Sequence, residues 1–67
     1  MLNYDENKVY MLYILLPERD PVTNVIVPGK HLENTICEYK GLYPDFKKIV
    51  VYEADTKEAI EIIKSNQ

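Results

Sequence analysis

His31 and Cys37 are the only histidine and the only cysteine in this 67-residue chain, so soft-metal or thiol chemistry would have to start from them. Six positions apart on a helix, they are turned about 240° from one another and cannot meet on one face as a nucleophile and its base must. A metal centre needs about three or four ligands, which one histidine and one cysteine do not supply. Cys37 therefore reads as a small hydrophobe beside Ile36, and His31 as a first-turn surface residue. Carboxylates occur in pairs at Glu18/Asp20 and Glu58/Glu61. Neither spacing marks a buried acid–base couple, and no segment reads as the wall of a pocket. The expectation is a protein that is not an enzyme, with no catalytic residue, no metal and no cofactor.

Three segments could bind rather than react. Pro28-Gly29-Lys30-His31 opens a helix, where free N–H groups beside two basic side chains could hold an anion, but it lacks the glycines of a phosphate loop. Tyr39 to Lys48, YKGLYPDFKK, interleaves aromatic rings with lysines, the ingredients of a stacking platform for single-stranded nucleic acid, with Tyr39, Tyr43, Lys47 and Lys48 as the contacts. Against it stand Asp45 and a net charge of -3, so nucleic acid is the second choice. The simpler reading has Tyr39, Leu42 and Phe46 plugging the end of the core while the lysines are solvated. The loop Pro17-Glu18-Arg19-Asp20-Pro21 is stiffened by a proline at either end, which presents Arg19 at little ordering cost.

The elements that hold these residues follow from periodicity. Met1 to Asn7 is short and polar and is expected to fray or to lie against the sheet edge. Val9 to Leu16, VYMLYILL, is apolar in both alternating registers, Tyr10, Leu12, Ile14 and Leu16 in one and Val9, Met11, Tyr13 and Leu15 in the other. Pro17 ends this strand, and Val22 to Val27, rich in β-branched residues, completes a hairpin. From Lys30 the period becomes helical, with Leu32, Thr35, Ile36 and Tyr39 on one face and Gly41 as C-cap. Phe46 to Ala54 is a third strand with Ile49 and Val51 on one side and Phe46, Lys48, Val50 and Tyr52 on the other. Asp55-Thr56-Lys57-Glu58 resembles a capping box, which predicts a second helix to about Ser65 with Ala59, Ile62 and Ile63 as its stripe.

Residues 1–67 are thus expected to form a single small α+β domain of order ββαβα: a three-stranded antiparallel sheet, order 2-1-3, with two helices packed on one face. That order puts the most apolar strand in the middle, whereas order 1-2-3 would leave it on an edge as an aggregation hazard. It also leaves one sheet face bare. The predicted function is that of a small protein–protein interaction protein, using Val9, Met11, Tyr13, Leu15, Tyr52 and Arg19 against a protein partner or a second copy in a homodimer. Chains this small gain stability from oligomerisation when disulfides and metals are lacking. Seven lysines against one arginine is the usage of AT-rich codons, which suits an inhibitor or regulator of low-GC bacterial or phage origin. No leader-like segment opens the chain and no apolar run approaches a membrane span, so a cytoplasmic protein is expected.

Overall fold

A computed structural model of the protein describes residues 4–65. Four strands and one helix run in the order β1 (Val9–Leu15), β2 (Val22–Pro28), a 3₁₀ turn (Gly29–His31), α1 (Leu32–Leu42), β3 (Lys48–Glu53) and β4 (Ala59–Lys64). They make one four-stranded sheet in the order β2-β1-β3-β4, every neighbouring pair antiparallel. The predicted α+β class and the 2-1-3 order hold, with Val9–Leu15 central. The predicted second helix does not: Ala59–Lys64 is a fourth strand, so the sheet has four strands and its helical layer has one helix.

The reason lies at residues 55–58. Lys57 adopts φ 61, outside the helical region, and its N–H donates to the carbonyl of Glu53, while the Glu53 N–H donates to the carbonyl of Glu58. That closes a hairpin instead of a capping box. The Thr56 hydroxyl accepts from the Glu58 N–H, and Asp55 caps nothing. Ile60, Ile62 and Ile63 are β-branched, and pairing their segment with β3 satisfies a row of main-chain groups that a three-stranded sheet would leave open. Between Val51 and Tyr52 the pairing steps from Glu61 to Ala59, so β4 carries one extra residue as a bulge. A second bulge sits on β2, where the step from Leu12/Val25 to Ile14/Val22 places Asn24 at φ 63, a conformation asparagine tolerates better than most residues.

The core lies between the sheet and α1. Tyr10, Leu12, Ile14 and Leu16 meet Ile49 and Val51 from β3, Val27 from β2 and Leu32 and Ile36 from the helix. The helical stripe is as predicted, with Leu32 and Ile36 buried and Thr35 and Tyr39 half-buried. Gly41 does not end the helix, which continues through Leu42 to a cap at Tyr43. Leu42 is exposed and takes no part in closing the core, whereas Tyr39 and Phe46 pack against it. Cys37 is exposed, and so is His31.

The approach to β1 is tied down. Tyr4 packs edge-on against Tyr10 with ring centroids 6.3 Å apart, the Asp5 N–H donates to the Tyr10 hydroxyl at 2.7 Å, and Asn7 donates to the Asp5 carboxylate at 2.8 Å. Of the segment expected to fray or to lie against the sheet edge, residues 4–7 make a turn packed on β1 through these contacts; Met1, Leu2 and Asn3 lie outside the described residues. Gly29 is required here, because a Cβ at that position would collide with the Asp5 carbonyl and lie 2.9 Å from Glu6 Cα.

Candidate functional site

Strand alternation sends Val9, Met11, Tyr13 and Leu15 to the side of the sheet away from α1. The ladders set their neighbours. Met11 lies between Ile26 and Tyr52, Tyr13 lies beside Val50, and Val50 in turn lies beside Ile62. Ala54, whose N–H donates to the Val9 carbonyl, and Ala59, opposite Tyr52, complete the apolar surface. Among the described residues no element covers this face. Ile26 is 66% exposed, Ile62 49% and Val9 44%, whereas Val50 at the centre is 5% exposed, shielded only by its neighbours. The result is a continuous apolar surface four strands wide.

One end of this face is basic. Lys48 lies opposite both Leu15 and Lys64, so two ammonium groups share one face in directly paired positions. Lys47 is adjacent, and the Ser65 N–H donates to its carbonyl at 3.0 Å. Leu15, Pro17, Asp45, Phe46, Lys47, Lys48, Lys64 and Ser65 surround an open groove of about 620 Å³. The one acid of this groove, Asp45, is paired with Arg19 in an exposed ion pair, and the Arg19 guanidinium lies 5.9 Å from the Tyr43 ring centroid.

The other end of the sheet carries the Lys8–Glu53 ion pair at 3.1 Å, in which the Glu53 side chain is the more buried partner. Hydrogen bonding to Glu53, and then its charge, hold the Lys8 ammonium above the ordinary lysine value of 10.5. Beside it, desolvation first and the charges of Glu33 and Glu6 next push the Tyr4 phenol above 10.0. Asp5, Glu6, Asp55 and Glu58 are exposed at this same end.

Of the residues singled out from the sequence, Val9, Met11, Tyr13, Leu15 and Tyr52 come together on the open face. Arg19 stands apart from them at the hairpin tip, committed to Asp45 and Tyr43. The aromatic and basic segment is divided. Tyr39 and Tyr43 stack on one another, with centroids 6.2 Å apart and planes within 4°, on the core side, whereas Lys48 belongs to the opposite face. Sequence reasoning placed Val50 on the Tyr52 side of its strand by alternation without naming it as a contact, and it missed Ile26, Ile62 and Lys64. Ile26 was obscured by the bulge at Asn24, and Ile62 and Lys64 by the assignment of their segment to a helix. Among the described residues no group of three or more His, Cys, Asp or Glu could hold a metal ion, and no helix is long and apolar enough to cross a membrane.

No family model, no curated protein and no solved structure matches the chain.

Proposed function

We propose that the protein is a small non-enzymatic interaction protein that binds a protein surface through the sheet face opposite α1, as an inhibitor or regulator would. The observation that carries this reading is the exposure of Ile26, Ile62 and Val9 around Met11, Tyr13, Val50 and Tyr52 on a face that no element covers among the described residues. Contiguous exposed apolar surface on a small protein marks a place where something binds. Tyr13 and Tyr52 supply large, rigid contacts with a polar tip, the type favoured at interface hot spots.

The test replaces Met11 and Tyr13 with lysine, alone and together. Both residues lie outside the helix-side core, so circular dichroism should show a folded chain. Retention of protein from lysates, and any self-association of the wild type, should be lost. Unfolding of the variants, or retention equal to the wild type, would refute the reading. Single-stranded oligonucleotide is the competing ligand in the same experiment: affinity that falls steeply with salt and is lost in Lys47→Glu/Lys48→Glu would replace a protein partner with nucleic acid.

A further inference from the structure

Resting on that reading, we infer that the occupant of the open face is a second copy of the chain, packed face to face with its strands reversed. The face is charged asymmetrically along the strands. At one end Lys48 and Lys64 lie directly opposite each other in the β3–β4 ladder, an arrangement of like charges that destabilises a sheet unless an anion meets it. At the other end the β3–β4 turn exposes Asp55 and Glu58, with Lys57 between them.

Symmetry then selects one arrangement. A two-fold axis between the faces and perpendicular to the strands exchanges the ends of the sheet but keeps its lateral order, so β3 and β4 of one copy lie over β3 and β4 of the other. Lys48 and Lys64 belong to those two strands, and Asp55 and Glu58 belong to the turn that joins them. Each lysine pair therefore arrives at the acidic turn of its partner, and the contact is made twice. The Met11 row of one copy meets the Tyr13 row of the other across the middle. An axis parallel to the strands would bring both lysine ends to the same edge, where they repel. Sheets packed with strands nearly aligned, about 30° apart and about 10 Å between layers, are the ordinary way to bury two such faces.

The size of the face sets the strength. Four strands at about 4.8 Å spacing and six residues at about 3.3 Å give a footprint of about 400 Å² per copy. A pair buries about 800 Å² or somewhat more, below the roughly 1,000–1,200 Å² at which stable specific interfaces begin, so the dimer is a weak, transient one whose register depends on the charged ends.

Analytical ultracentrifugation over about 1 µM to 1 mM tests this. The wild type should pass from monomer to dimer, while Lys48→Glu/Lys64→Glu and Asp55→Lys/Glu58→Lys should each associate at least about tenfold more weakly, since each sets like charges together at both ends. An equimolar mixture of the two variants should recover a dimer, because both contacts are again complementary. If the turn variant does not fold, Asp55→Lys alone serves in the mixture. A wild type that stays monomeric throughout, or a mixture no better than its components, would overturn the self-pairing. A monomeric wild type that still loses its retained protein on Met11→Lys/Tyr13→Lys sinks only the second copy as occupant, whereas no effect in either experiment sinks the interaction face as well.

Discussion

Replacing Lys57 with glycine should stabilise the protein, and the sign of that effect separates a hairpin from a helix at residues 55–65. Lys57 is exposed, and its N–H is already used in the hydrogen bond to Glu53, so the substitution acts through the backbone. Holding a non-glycine residue at φ 61 costs roughly 1–2 kcal/mol. Glycine removes that cost but adds unfolded-state freedom worth roughly 0.5–1 kcal/mol, which leaves a net gain on the order of 0.5 kcal/mol. In a domain of this size such a gain raises Tm by about 2–4 °C. Were Asp55 to Ser65 a helix opening on a capping box, the same glycine would sit in its first turns and cost up to about 1 kcal/mol, a fall of about 4–8 °C. Thermal unfolding followed by circular dichroism, with urea titration at fixed temperature as a second measure, decides it. A lower Tm would refute the reasoning.

Ile49→Ala, at a fully buried position of β3, should cost about 2–5 kcal/mol. Against a total of roughly 3–10 kcal/mol for a chain this long, chemical denaturation should show a large loss of folded protein. Gly29→Ala should lose about 1–3 kcal/mol because the new methyl group meets the Asp5 carbonyl, and amide exchange should show the loss first in residues 5–10. Alkaline pH should destabilise the fold. Both Lys8 and Tyr4 bind their protons more tightly folded than unfolded, so their contribution is complete below pH 10 and is lost as pH rises through their folded values. Urea midpoints should fall above that pH, and fall less steeply in Lys8→Met.

Much of the fold was legible because local chemistry and global arrangement agree. Pro17 and Pro21 bracket the loop of the first hairpin, Pro28 ends β2, and the 3.6-residue period of Leu32, Ile36 and Tyr39 marks a helix whose inner face is the one observed. The last segment was not legible. Six residues such as AIEIIK satisfy a helical stripe and a strand equally, and a capping-box pattern is only four residues long. The candidate site inherited both outcomes: the β1 and β3 residues were found by alternation, and those of β4 were lost with the strand.

By itself the sequence determined that Val9–Leu16 must be buried between layers or left with a bare apolar face, since both of its registers are hydrophobic, and that β1 belongs between β2 and β3. Tertiary structure alone decided that β4 pairs with β3, because hydrogen bonding along an open sheet edge and the φ of Lys57 outweigh a short helical pattern. It also decided that Lys48 and Lys64 stand side by side, a juxtaposition of residues sixteen positions apart in sequence that exists only once β3 and β4 are in register. The charge pattern of the open face is therefore a property of the ladder, which no reading of neighbouring residues along the chain contains.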